Sequence, residues 1–313
     1  MREGGGEHAA VLSPTAFLAH LRPGPKYLGA TTIEEQAWCR WFAAEIFTAA
    51  GAVVELGPWL GSLTLSYCEG LVRNPRARMR RKLAFVYDLF EWSAIFEEWS
   101  RGTPHAGRLK PGQSFEDTFR SLLDEYARFL TVVRADLTNT TWGGAPIELL
   151  INDAAKSLEI ADNIFRSFVP AMIPGKSYLA HQDFWWATDA YIQVFMFLAR
   201  ESFAYEYTVA GSTMAVFKNV RRFDPDVLSG YDVGGTLSYD LIRETFGWSS
   251  RTLTDADPDV LRLCEAVVLR DFGYVEEARR VVADGHLNRV RGKPQFDHQL
   301  ATIRSWGYDD VLG

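Results

Sequence analysis

Cysteine is scarce. Cys39, Cys68 and Cys264 are the only three, and none has a second cysteine at short spacing. This argues against a disulfide framework and a thiolate zinc site, and leaves the three as core thiols. No apolar run is long enough to cross a bilayer, so no membrane partner is expected. Positive charge is not in excess either. The formal net charge of -7 gives no general attraction for nucleic acid, and the single basic cluster from Arg73 to Lys82 reads as solvated surface. Met1 to His8 lack the basic and apolar parts of a secretory signal, which points to the cytoplasm. No internal repeat is convincing enough to name. The dinucleotide spacing G-x-G-x-x-G does not follow the first apolar strand, which counts against a nicotinamide cofactor.

What is present is an ordinary globular composition: 313 residues, 47% hydrophobic and 23% charged, enough for a substantial core. Residues 1–30 are rich in glycine and proline and read as a lead-in. Thr32 is a candidate N-cap for a helix from Ile33 to Phe47, whose apolar residues recur at three and four and which ends before Gly51. The chain then reaches its most informative stretch, Ala52-Val53-Val54-Glu55-Leu56-Gly57-Pro58-Trp59-Leu60-Gly61-Ser62. A short β-branched run suits a strand covered on both faces, and the glycines turn it into a helical pattern from Leu63. Glycines at such a joint let the backbone approach a ligand, and the first turn of the helix offers N–H groups to a carboxylate or phosphate.

Further strands are expected at Leu83–Tyr87, Leu130–Leu137, Ile147–Asp153 and Ser177–Ala180. Each ends beside an acid or a polar group: Asp88 with Leu89 and Phe90, Asp136 with Leu137, Asp153, and His181-Gln182-Asp183. In open α/β sheets ligands gather beyond the carboxyl ends of the strands, and an acid after the second strand can accept hydrogen bonds from ribose hydroxyls. Asp88 meets that expectation, with a helix cap as its other reading. The aromatic, glycine- and proline-rich segment from Trp92 to Phe119 reads as a loop that covers the ligand, ahead of a helix from Ser114 to Leu130.

The order Glu55-x-Gly57-x-x-x-Gly61 resembles the first motif of class I S-adenosylmethionine (SAM) methyltransferases, acid-x-Gly-x-Gly-x-Gly, with Trp59 in place of the middle glycine. The resemblance implies that Glu55, Gly57, Pro58, Trp59, Gly61 and Ser62 line the amino acid end of SAM. It also implies that Asp88, Leu89 and Phe90 meet the ribose and that Asp136 and Leu137 lie at the adenine, a surface turn being the competing reading of Asp136. Asp153-Ala154-Ala155-Lys156 resembles the Asp-x-x-Lys segment of metal-dependent O-methyltransferases. There the aspartate holds a divalent ion and the lysine assists removal of a proton; an exposed helix cap with a solvated lysine is the alternative. The acid pair that those families carry after the next strand is replaced here by His181-Gln182-Asp183. Asp153, His181 and Asp183 therefore form a candidate set for a divalent metal such as magnesium, while His181 alone is the favoured general base, since imidazole titrates near neutrality.

Two alternating runs, Phe203–Val209 and Ser212–Asn219, are joined across Ala210-Gly211 as a hairpin. Class I methyltransferases end their sheet with an antiparallel strand inserted by such a hairpin. The expected fold is thus α/β, a doubly wound, Rossmann-like, mostly parallel sheet of seven strands with an antiparallel last strand. It would occupy residues 31–221, and 222–313 form a helical extension with helices at 225–228, 236–246, 258–272, 274–283 and 295–306. The overall resemblance is to macrocin-type O-methyltransferases. It implies methyl transfer from SAM to a hydroxyl of a small molecule, a sugar or glycosylated natural product. A non-catalytic module on the same fold and a nicotinamide-dependent oxidoreductase are the alternatives. A homo-oligomer contact is one use of the helical extension.

Overall fold

Seven short strands dictate the architecture: β1 (Ala52–Leu56), β2 (Ala84–Asp88), β3 (Leu130–Arg134), β4 (Ile147–Asn152), β5 (Tyr178–His181), β6 (Phe203–Thr208) and β7 (Ala215–Asn219). In the computed structural model, which describes residues 15–22, 30–229, 237–255, 257–284, 294–305 and 307–312, they form one sheet in the order β3-β2-β1-β4-β5-β7-β6. The β1–β2, β1–β4, β2–β3 and β4–β5 pairs are parallel, and β7 runs antiparallel between β5 and β6. This is the doubly wound, Rossmann-like sheet expected from the sequence, with the hairpin supplying the antiparallel strand. The switch point, where strand order reverses, lies between β1 and β4.

Both faces of the sheet are covered. Val53, Val86, Leu149, Ile151, Ala180 and Val216 point to one side. Against them pack α1 (Ile33–Trp41), the wider π turn Phe42–Ile46 that continues it, α2 (Ser62–Arg73) and, further along the chain, α4 (Glu116–Leu122). Val54, Leu56, Leu150, Leu179 and Phe217 point to the other. That second face meets α5 (Leu158–Ser167), α6 (Ile192–Leu198), α7 (Tyr239–Thr252) and α8 (Pro258–Asp271), with Ala278 of α9 (Val275–Asp284), Ile303 of α10 (Pro294–Ser305) and Val311 of α11 (Asp309–Leu312) completing the cluster. The remaining helix, α3 (Ala94–Trp99), belongs to the segment after β2.

Local sequence explains the joints. Thr32 and Glu35 form a reciprocal capping box at the start of α1. Glu148, on the irregular first turn of the β1–β4 ladder, is buried and accepts the N–H groups of Thr48, Ala50 and Gly51, which fixes the entry into β1. The helix expected at 114–130 is shorter, because the chain must turn at Asp124–Tyr126 to bring Leu130 into register with Ala84. The expected helix start at Thr236 and end at Trp306, and most of residues 1–30, lie outside the described residues; within 15–22 there is a 3-10 turn, Ala16–His20.

Candidate active site

Strand register builds the site. The ladder continues one step past the strands: Ala135 donates to Asp88 O (2.9 Å), Gly57 to Tyr87 O (2.9 Å), Asp153 to Leu56 O (2.9 Å) and Gln182 to Asn152 O (3.0 Å). Asp88, Gly57, Asp153 and Gln182 are therefore neighbours along one carboxyl edge, centred on the switch point. Asp88, Gly57 and Asp153 are half-buried, and Leu89 is 52% exposed beside them.

The turn after β1 needs both its glycines. Gly57 has φ +81°, and a Cβ there would lie 2.9 Å from Asp153 O; Gly61 has φ +89°, and its Cβ would meet Leu123 and Phe119 at 2.9 Å. They admit close approach of this chain's own backbone and cover, and they leave α2 with no side-chain cap and no acid in its first turn. Trp59 takes φ +44° and is buried among Trp92, Phe96 and Trp99, its ring centroid 5.2 Å from that of Phe96 and 5.7 Å from that of Trp99. The aromatic segment after β2, expected as a loop over the ligand, thus contains α3 and packs on Trp59 of the glycine turn itself. Pro58, Ser62 and Phe90 are buried in the same joint, with the Ser62 hydroxyl 2.5 Å from that of Thr31.

Asp88 accepts the N–H of Phe90 at 2.7 Å. Burial pushes its carboxyl up to about 6, although the backbone N–H groups of Phe90, Trp59 and Leu89 pull the other way. Glu55 is a correction to expectation. Its side chain turns under α2, accepts the Thr64 hydroxyl at 2.6 Å and is 2% exposed, so it ties the helix to the strand end instead of lining the edge. Burial raises it to about 7. Asp136 and Leu137 also separate. The exposed Asp136 closes a turn by accepting the Thr138 N–H (2.9 Å) and hydroxyl (2.8 Å), whereas Leu137 enters the core.

On the other side of the switch point, three carboxylates meet one ammonium. Lys156 Nζ lies 3.2 Å from Asp153 Oδ1, 3.4 Å from Asp189 Oδ2 and in direct contact with Asp183. The lysine side chain is 44% exposed, and the aspartates are 24%, 22% and 13% exposed in the order Asp153, Asp183, Asp189, so the group opens to solvent. Burial pulls the ammonium down, but Asp183, Asp153 and Asp189 outweigh it and hold it well above the ordinary value; Lys156 is a fixed cation. It stands in a loop, and Ser157, not Asp153, caps α5.

His181 is not in this group. Alternation along β5 sends it, with Leu179, to the opposite face from Gln182, where it is fully buried against Phe165, Phe184 and Phe217. Its Nδ1 lies 2.9 Å from Asn152 Nδ2, and burial lowers its pKa to about 3. A neutral, enclosed imidazole without a carboxylate partner has no route to a substrate proton, which overturns the general-base expectation. The expected metal set of Asp153, His181 and Asp183 is not assembled either: the histidine faces away, the two aspartates are engaged by Lys156, and among the described residues no group of three or more His, Cys, Asp or Glu side chains is arranged to hold a metal ion.

Two participants carried no distinctive sequence signal. Glu35, seen from sequence only as part of a helix start, is 2% exposed and accepts the Thr32 N–H (2.8 Å) and Gln182 Nε2 (3.3 Å). Burial, with the charge of Asp183 adding, lifts it to about 8. Asp189 lies in a 3-10 turn, Ala187–Asp189, after a run of aromatics, and no motif marks it.

No protein-family model matches this chain, and no curated protein sequence does. Among solved structures, the pyocyanin biosynthetic protein PhzM aligns over 58% of this chain and 54% of its own, at 15% identity and a TM-score of 0.34. The 23S rRNA methyltransferase ErmE aligns over 79% and 87%, at 16% identity and a TM-score of 0.33. The chain spans about half the length of PhzM. Both likenesses are remote, and the fold assignment stands on the strand order and the inserted antiparallel strand of this chain.

Proposed function

We propose that this chain is a SAM-dependent methyltransferase that acts on a hydroxyl of a small molecule, a sugar-bearing acceptor being the class that the macrocin-type resemblance implies. The observation that carries the reading is the level row of Asp88, Gly57 and Asp153 at the switch point, beside an α2 N-terminus that no side chain caps. SAM, when bound, supplies an electrophilic methyl carbon on sulfonium. The uncapped amides of α2 suit its carboxylate, Asp88 suits hydroxyl donors of a ribose, and the exposed Leu89 offers an apolar surface to a base. Asp153, Asp183 and Asp189, further along the same edge, suit the role of proton acceptor for a nucleophilic hydroxyl, and the Lys156 cation suits stabilisation of the oxygen as negative charge develops. The new C–O bond forms as the C–S bond breaks, leaving S-adenosylhomocysteine, with the proton on a carboxylate.

Titration calorimetry with SAM tests the binding half. Asp88→Asn and Leu89→Ser variants with unchanged melting temperatures are expected to bind about tenfold more weakly, roughly 1.4 kcal/mol each. A folded protein that gives no heat with SAM overturns the proposal.

A further inference from the structure

The turn between α2 and β2 carries more positive charge than the fold uses. Residues 73–82 hold five arginines and a lysine with no acid among them, in a chain whose net charge is -7. Structure accounts for three of the six: Arg73 lies in the last turn of α2, where a cation suits the helix dipole, Arg80 Nη1 donates to Ala49 O (2.8 Å) and Lys82 Nζ donates to Leu130 O (2.6 Å). Arg76, Arg78 and Arg81 are exposed, and among the described residues their guanidinium groups have no hydrogen bond or ion pair. Asp124 and Glu125, the acids of the adjoining turn before β3, pair with none of the six. The turn is nonetheless held firmly. Asn74 is fully buried, its Nδ2 donating to Ala43 O (2.8 Å) and Phe47 O (2.7 Å) while its Oδ1 accepts the Arg76 N–H (2.8 Å). Ala77 is fully buried as well and donates to Asn74 O (3.1 Å). Between these anchors and β2 stands Met79, 83% exposed, with arginines on both sides of it in sequence.

We propose that this turn docks the protein on an anionic lipid surface, with Arg76, Arg78 and Arg81 at the headgroups and the Met79 side chain in the boundary with the acyl chains. Charge complementarity selects a polyanion, and Met79 selects among polyanions. Single-stranded nucleic acids stack their bases on exposed aromatic rings, and residues 70–84 contain no aromatic residue. An unbranched thioether gains instead by leaving water for the headgroup boundary of a bilayer. Among the described residues no helix is long and apolar enough to cross a membrane, and a surface contact requires none. One apolar side chain and a few cations give a reversible attachment that salt weakens. The turn precedes β2 and Asp88 ends it, so docking occupies the amino edge of the sheet, about 16 Å of strand away from the carboxyl edge, and leaves the latter open. The inference is independent of the methyltransferase reading.

Co-sedimentation of the full chain with vesicles of phosphatidylcholine alone, or with roughly 30% phosphatidylserine added, tests the inference. Binding is expected only to the anionic vesicles, and to vanish at about 0.5 M salt, where charges are screened within a few ångströms. Arg76→Gln, Arg78→Gln and Arg81→Gln combined should weaken it by about a hundredfold at an unchanged melting temperature, since each cation near such a surface contributes roughly fivefold. Met79→Ser alone should weaken it severalfold. The three native cysteines are buried, so Met79→Cys can be labelled singly with a polarity-sensitive dye, whose emission should shift to the blue on anionic vesicles and stay unchanged with inorganic phosphate. Equal binding to both kinds of vesicle, a folded triple variant that binds as wild type does, or a dye that reports no change of polarity overturns the inference. So does release of the protein from the vesicles by inorganic phosphate at constant ionic strength, which marks a phosphate site, or by a single-stranded RNA that binds it more tightly, which marks a nucleic-acid surface.

Discussion

Glu55 reads from sequence as the acid of a cofactor motif, yet it is enclosed beneath α2 with its carboxyl raised to about 7, chiefly by burial. Folding favours its protonated form, so stability present near its ordinary value of 4.5 is lost as pH rises toward about 7. Glu55→Gln keeps an acceptor for Thr64 and removes the titration. It is expected to be more stable than wild type at pH 8 by roughly 1–3 kcal/mol and to match it near pH 4.5, read as melting temperature against pH. Trp59 gives a second test at this scale. It lies in the turn proposed to meet SAM, so SAM should quench intrinsic fluorescence and Trp59→Phe should remove most of the change. Position along the chain was legible for Gly57, Asp88 and Asp153 because each follows directly from a strand end. Which face a strand-end residue takes was harder: His181 is two residues from the buried Leu179 and shares its side, a parity that a motif does not encode.

At the scale of elements, the helices after β7 are what hold the carboxylate loop in place. Gln299 of α10 is 1% exposed; its Oε1 accepts the Ala187 N–H (3.1 Å), and its Nε2 donates to Trp185 O (2.8 Å), between Asp183 and Asp189. Asp255 accepts the Thr208 N–H at 2.8 Å and pairs with Tyr205, tying the hairpin to the same region. Gln299→Ala leaves the buried Ala187 N–H without a partner and Trp185 O with only the weak Cys264 thiol, and is expected to cost about 1–3 kcal/mol. Hydrogen exchange should show faster exchange at Ala187 while amides of β1 and β4 keep their protection. The periodicity of α7 to α10 made the helices legible, but not their docking, because a single amide bridging two backbone groups leaves no pattern in sequence. The glutamate of the α1 capping box is similar: Thr32-x-x-Glu35 announces a helix start, and only the fold brings β5 alongside it.

For the whole molecule, strand positions were legible in local features, since apolar runs punctuated by glycine and acids mark strands and a short turn marks the hairpin, whereas the doubly wound sheet was implied by the family resemblance and its strand order belongs to the fold. Side-chain convergence was not legible, because Lys156 and Asp189 are 33 residues apart and meet only through the parallel pairing of β4 with β5. The second face of the sheet depends on sequence made late. Val54 and Leu56 belong to one apolar cluster with Leu263, Ile303 and Val311, residues more than two hundred positions downstream. A ribosome therefore releases β1 long before this part of its cover exists, and the loop bearing Asp183 and Asp189 lacks the Gln299 bridge until that residue has left the exit tunnel. Nascent chains stalled short of that point should be cut by protease within 183–189 more readily than chains that carry Gln299, because this loop is fastened by a residue made more than a hundred positions after it.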